Sequence, residues 1–243
     1  MKVVILAGGI GARAYPFTSY LPKPMMPVHG KPMLVRIMEF FASQGHRDFV
    51  ISVGYRKEVI IDYFDGRRTN WAVEIVDTGA ESDTGERIKG CRHLLTEPFF
   101  ATYGDGLSDV DLSKLIAYHN SHDGLVTVTS VPLVSQYGTL ETDADGRVVE
   151  FREKPKLAAY WINAGFFVME PGVFDDWSGT NLEKHVLPAF ARQGKLFSHR
   201  HEGFFKSMDT QKDQQELDEM FACGEVPAHQ TSQSAMKLAR GEV

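Results

Sequence analysis

An α/β fold is predicted, with a mostly parallel sheet, helices on both faces and a small antiparallel insertion. Short apolar, β-branched runs alternate with stretches of helical spacing through the first half of the chain. Past Val131 the rhythm changes to closely spaced strands around the turn signal Asp143-Ala-Asp-Gly146. The length, 243 residues, is enough to bury a sizeable core.

Strands are expected at residues 2–7, 47–53, 72–77, 99–103 and 125–131, with helices at 32–43, 58–64 and 84–95. A further helix follows Asp111, whose carboxylate suits an N-cap before Leu112, Leu115 and Ile116. This order gives parallel neighbours joined by crossover helices. Residues 138–142 and 147–152 flank the turn as an antiparallel hairpin, and 161–169 is another buried strand. Short strands at 195–199 and 204–207 lie between helices at 182–192 and 211–223. Residues 1–226 form one domain on this reading, and 227–243 a polar tail. Ligands of such a sheet collect at the C-terminal ends of its strands.

Composition narrows the function classes. Lys plus Arg number 26 against 32 Asp plus Glu, a net charge of -6, which argues against a general nucleic-acid binder. The two cysteines, Cys91 and Cys223, offer neither a disulfide framework nor zinc spacing, and a reducing, cytoplasmic setting is expected. The apolar run at residues 3–7 is too short for a signal peptide, and no run approaches the roughly 18 apolar residues of a membrane span. His119 with His122, and His199 with His201, lack a third strong ligand for zinc.

The chemistry concentrates after the strands. Leu6-Ala-Gly-Gly-Ile-Gly-Ala-Arg13 puts Gly8, Gly9 and Gly11 where backbone N–H groups can approach a phosphate, with Arg13 as a fixed cation. Gly9 to Ala14 also matches the dinucleotide pattern G-x-G-x-x-A, but Pro16, Pro22, Pro24 and Pro27 deny the helix that pattern must open. The second strand also ends Ser52-Val-Gly54, without a ribose-binding acid. Lys23 is held between prolines and suits a phosphate. Thr84-Gly85-Glu86-Arg87 opens a helix where backbone amides and Arg87 can meet a nucleotide. Thr102-Tyr103-Gly104-Asp105-Gly106 places an acid at a strand end, and Asp209 stands at a second strand-to-helix junction, where capping is the rival role. Together Asp105 and Asp209 suit one octahedral Mg²⁺ completed by phosphate oxygens. Glu153-Lys154-Pro155 offers a hydroxyl acceptor beside a cation, and Asn163 lies in an apolar strand, where satisfying a backbone group is the alternative.

Read together, these motifs resemble the sugar-1-phosphate nucleotidyltransferases, and among them the cytidylyltransferases, over nearly the whole chain. The glycine loop with Arg13 and Lys23 carries the N-terminal part of the likeness. Val76 to Gly79, Thr84 to Lys89, Thr102 to Gly106, Glu153 to Pro155, Ile162 to Val168 and Met208 to Thr210 follow in order. The resemblance implies a Rossmann-like, GT-A-like fold and transfer of CMP from CTP to a phosphorylated acceptor such as glucose 1-phosphate, with Mg²⁺ as cofactor. It further implies nucleotide contacts from Leu6, Ala7, Gly8, Gly9, Gly11, Arg13, Thr84, Gly85, Arg87, Tyr103 and Gly104. Lys23, Glu153, Lys154 and Asn163 would face the acceptor; Asp105 and Asp209 would bind the metal; Arg13, Lys23 and Asp105 would be catalytic. No nucleic acid or membrane partner is expected, and a homo-oligomer is one possible assembly. The chain departs from the family pattern at Ala12, Glu86 and Ala164, and crosses residues 65–71 without the longer segment of the cytidylyltransferases. UTP, dTTP or GTP as donor, a non-sugar acceptor such as glutamine phosphate, and a noncatalytic nucleotide-binding regulatory subunit are the alternatives.

Overall fold

The computed structural model describes residues 1–67 and 69–227, with the side chains of Arg13 and Ala158 outside the description. Residues 228–243, which make up nearly all of the expected tail, also lie outside it.

The strands are β1 (Val3–Leu6), β2 (Pro27–Val28), β3 (Lys31–Pro32), β4 (Asp48–Val53), β5 (Ala72–Asp77), β6 (Phe99–Tyr103) and β7 (Gly106–Ser108). They continue as β8 (Val126–Val134), β9 (Thr139–Thr142), β10 (Val148–Arg152), β11 (Lys156–Met169), β12 (Leu196–Arg200) and β13 (Phe205–Ser207). The α-helices are α1 (Met33–Ser43), α2 (Lys57–Phe64), α3 (Thr84–Gly90), α4 (Leu112–His119), α5 (Leu187–Arg192) and α6 (Gln211–Ala222).

Seven strands form the central sheet in the order β12-β8-β11-β6-β1-β4-β5. All neighbours are parallel except β11, which runs antiparallel to both β6 and β8. The chain builds outward from β1 through β4 to β5 and then returns to the other side of β1 with β6. That reversal opens a crevice at the C-terminal ends of β1 and β6, where ligands of open α/β sheets bind.

Both faces of the sheet are covered, which explains why its strands read as continuous apolar runs. Val3 and Ile5 of β1 pack with Phe41 of α1, Phe49, Phe100 and Phe166 on one face. Val4 and Leu6 pack with Val50, Ile88 of α3, Ala101 and Phe167 on the other. This division follows the two-residue alternation of a strand. The expected hairpin forms a separate ribbon of β9 and β10.

Several expected elements differ in form. The helix expected over 84–95 ends at Gly90 and is followed only by a 3₁₀ turn, Arg92–Leu94, and the strand expected over 125–131 runs on to Val134. The helix predicted over 182–192 is broken into a π-turn, Leu182–Val186, followed by α5, because Pro188 near the start of α5 has no N–H for the helical ladder. The strand expected at 161–169 begins earlier, at Lys156, since it gains ladder partners in the extended end of β8. The proline-rich stretch after the glycine loop makes only short 3₁₀ turns, Ala12–Ala14, Phe17–Ser19 and Lys23–Met25, as the four prolines require.

Candidate active site

The glycine loop leaves β1 and bends over the neighbouring strand: Ala7 N donates to Ser52 O at 2.8 Å and Tyr55 N to Gly8 O at 2.9 Å. A side chain at Gly8 would strike the Arg87 guanidinium and the Gly54 backbone. Gly11 has φ of 65°, a left-handed conformation that favours glycine, and lies against the Lys23 stem. Around Gly9 there is open space.

Arg87 was expected to contact a nucleotide. Its side chain borders the cleft but is only 3% exposed, and it donates to Gly8 O at 2.9 Å, Gly79 O at 3.0 Å, Thr78 Oγ1 at 3.1 Å and Ala80 O at 3.3 Å. Burial lowers its pKa from the ordinary value, opposed by Asp83, Glu86 and Asp77. Arginine keeps its proton under such a shift, so a buried cation ties the glycine loop to the 78–80 turn and lines the floor of the cleft. Gly85 is likewise drawn into packing, because the Thr180 carbonyl approaches the place a Cβ would occupy. Glu86, where the family pattern has glycine, completes a capping box with Asp83 and so starts α3.

Lys23 is 8% exposed within its proline-framed turn, and its Nζ lies 2.6 Å from Asp105 Oδ2 and 2.8 Å from Asp209 Oδ1. The two carboxylates are far apart in the chain. They meet because β13 pairs antiparallel with β7, Ser207 opposite Gly106, and Met208 N donates to Asp105 O at 2.8 Å. The N-cap of α6 is Thr210, in a capping box with Asp213, so Asp209 is not the capping residue.

A second network includes Tyr103 and Thr84, which line the cleft. Asn163 Nδ2 donates to the Tyr103 hydroxyl at 3.0 Å, and that hydroxyl donates to Glu183 Oε1. Thr84 Oγ1 donates to Glu183 Oε2 at 2.7 Å. Burial first, and then the Glu183 charge, raise the Tyr103 pKa above its ordinary value, so it remains a hydrogen-bond donor. Asn163 Oδ1 also accepts from Gly165 N at 2.7 Å, which realises the backbone-satisfying role as well. Glu183 escapes sequence reasoning, since an acid in the first turn of a helix reads as a partner for the helix dipole.

The structure therefore gathers Leu6, Gly9, Gly11, Lys23, Thr84, Arg87, Tyr103, Gly104 and Asp105 around one cleft of about 210 Å³. Asp209 joins through Lys23, and Asn163 through Tyr103. Ala7, Gly8 and Gly85 are buried and do not line it. For Arg13 only the backbone, in the Ala12–Ala14 turn, is described. Glu153 and Lys154 lie on the hairpin side: Glu153 is close to Gly138, and Lys154, with φ of 45°, lines a separate groove of about 780 Å³.

The donor set suits a hard divalent ion. Two carboxylates converge on one ammonium, and the described residues contain no group of three or more His, Cys, Asp or Glu able to hold a metal alone. A magnesium site normally takes one or two carboxylates and leaves its other positions to phosphate and water. No helix among the described residues is long and apolar enough to cross a membrane.

Comparison with known proteins identifies the family. The family model described as Nucleotidyl transferase matches residues 2–191. Glucose-1-phosphate cytidylyltransferase of Salmonella typhi is 37% identical, over 93% of this chain and 98% of that protein. A probable glucose-1-phosphate cytidylyltransferase of Bacillus subtilis is 35% identical, over 93% of this chain and 98% of its own length. Among solved structures, HddC from Yersinia pseudotuberculosis superposes with a TM-score of 0.71 and 28% identity, over 90% of this chain and 99% of that one. A glycine loop at the β1–β6 crevice, a lysine bridging two acids and a sequence match over most of the chain thus lead to one assignment: the chain belongs to the nucleotidyl transferase family.

Proposed function

We propose that the protein transfers CMP from CTP to a sugar 1-phosphate, with glucose 1-phosphate as the leading acceptor, giving a CDP-linked product and pyrophosphate with Mg²⁺ as cofactor. The observation that carries the reading is the Lys23 ammonium between Asp105 and Asp209 beside an open glycine loop. The two relatives named as cytidylyltransferases support the choice of base.

In the reaction a phosphate oxygen of the acceptor attacks the α-phosphorus of CTP. The new P–O bond forms as the bond to the β-phosphate oxygen breaks, and that electron pair leaves with pyrophosphate. The acceptor phosphate has a second pKa of ~6, so it is largely the dianion at neutral pH and needs no protein base. The enzyme's task is to bring two anions together in line. Backbone amides of the glycine loop and Arg13 hold the triphosphate; Lys23 supplies positive charge where the two phosphates meet; Lys154 and Asn163 orient the acceptor. Arg87 keeps the loop in its binding shape from behind. Mg²⁺, held by Asp105 and Asp209, would supply charge neutralisation at the α-phosphate.

The test is pyrophosphate release with CTP, UTP, dTTP and GTP against glucose 1-phosphate, another hexose phosphate and glutamine phosphate, with and without Mg²⁺. The reading expects CTP to be favoured and Mg²⁺ to be required. Equal or better turnover with GTP would overturn the choice of base, and tight CTP binding without pyrophosphate from any acceptor would favour a regulatory subunit.

A further inference from the structure

The separate groove of about 780 Å³ lies between residues of β8 and β11 on one side and α6 on the other. Ser207 forms part of its wall two residues before Asp209, with Ser207 Oγ 3.5 Å from Asp209 Oδ2. Its walls carry four lysines, Lys154, Lys156, Lys206 and Lys212, against two acids, Asp213 and Glu216. Both acids are already engaged. Glu216 accepts from Lys206 and lies 3.8 Å from Lys212, while Asp213 Oδ2 accepts from the backbone and hydroxyl of Thr210 and from Asp209 N.

Neither Lys154 nor Lys156 has an acidic partner among the described residues. The groove therefore has an excess of positive charge on a chain whose net charge is -6. Charge of one sign gathered in a cleft focuses the field and selects ligands of the opposite sign. One cation is enough for the acceptor phosphate, and Lys154 is given that role in the reading above. Lys156 and Lys212 then have no use for a neutral sugar, while the volume lies within the range of roughly 300–1,000 Å³ typical of small-molecule sites.

We propose that the acceptor carries a second anionic group, a carboxylate or a second phosphate, and that Lys156 and Lys212 receive it in this groove. The proposal rests on the nucleotidyl-transfer reading and sharpens its acceptor class. A neutral hexose 1-phosphate leaves Lys156 in water and Lys212 with Glu216 alone at 3.8 Å, whereas an acidic acceptor gains charge-assisted hydrogen bonds there.

Three acceptors that share one sugar ring test it: glucose 1-phosphate, glucuronic acid 1-phosphate and glucose 1,6-bisphosphate. Their affinities are measured by calorimetry with Mg²⁺ and a CTP analogue bridged by methylene between its α- and β-phosphates. The wild type is expected to bind at least one of the acidic acceptors about tenfold more tightly than glucose 1-phosphate, and raised salt should shrink the difference. In the double variant Lys156→Met, Lys212→Met the ratio should fall to about twofold or less. Preference for the uronate alone or the bisphosphate alone identifies the group. Equal affinities in the wild type, or a preference that survives the double substitution, overturn the proposal. Pyrophosphate release from CTP with the same acceptors separates the two readings. Lysine-dependent acidic preference without release would sink CMP transfer and leave the groove assignment standing.

Discussion

The two sides of the site differ in how their polar groups are held. On the glycine-loop side the described charges and hydroxyls of Arg87, Lys23 and Tyr103 are already engaged: Arg87 by carbonyls, Lys23 by two carboxylates, Tyr103 by Asn163 and Glu183. On the hairpin side Glu153, Lys154 and Lys156 are exposed, and large apolar side chains stand in solvent, among them Tyr137, Phe151 and Tyr160. The first region is preorganised for one task. Charge stabilisation of a phosphoryl-transfer transition state demands fixed dipoles and cations, which are most effective when they need not reorganise. The second is open to change, as suits the acceptor-selecting role proposed for it.

Substitutions on the two sides should therefore separate turnover, stability and substrate affinity. The largest effect is expected for Asp105→Asn, which removes one of the two charges facing Lys23. Steady-state turnover should fall about 10²- to 10³-fold with little change in melting temperature. Retention of more than a tenth of the wild-type rate in Mg²⁺ would remove Asp105 from the proposed metal site.

Arg87→Met tests the distinction between holding the loop and touching the nucleotide. Several buried carbonyls lose their donor, so unfolding without any ligand should become easier by about 3 kcal/mol, a fall of roughly 6–12 °C. A variant of native stability that loses only CTP affinity would return Arg87 to the role first expected of it.

Lys154→Ala is expected to raise the acceptor KM about tenfold while leaving the melting temperature within about 2 °C, because an exposed lysine contributes little to stability. Alanine keeps a side chain on the left-handed backbone, so the change isolates the charge. Equal losses in kcat and KM for both substrates would erase the contrast between the two sides.

The smallest effect belongs to histidines remote from both regions. Burial lowers the pKa values of His46, His122 and His199 from the ordinary value of 6.5, reinforced respectively by the N-terminal charge, His119 and His201. Below pH 6.5 the unfolded chain binds protons that the folded chain resists, so stability present above that pH declines as the medium is acidified. Thermal melts between pH 7 and 5 should show this decline, blunted in His122→Phe. An unchanged slope in that variant would assign the acid sensitivity to other groups.

Most elements were legible in the chain because apolar spacing reports local geometry: β4, β5 and β6 emerge within a residue of their expected limits. Glycines next to β1, prolines around Lys23 and an acid after β6 were equally local signals. Local signals fail where a residue's role depends on what the fold brings to it. The β7–β13 pairing unites Asp105 with Asp209, and nothing in the spacing of either motif specifies that register. Arg87 has the same sequence neighbours whatever it meets; only the close approach of α3 to the glycine loop brings its guanidinium to Gly8 O. Glu183 entered the site only because the π-turn packs against the start of α3, where Thr84 and Tyr103 meet it. The sequence by itself determined the alternation of strands and helices and the local chemistry of its turns, since both depend on near neighbours. Tertiary structure alone decided which distant charges share a cleft, because sheet order and register are long-range properties.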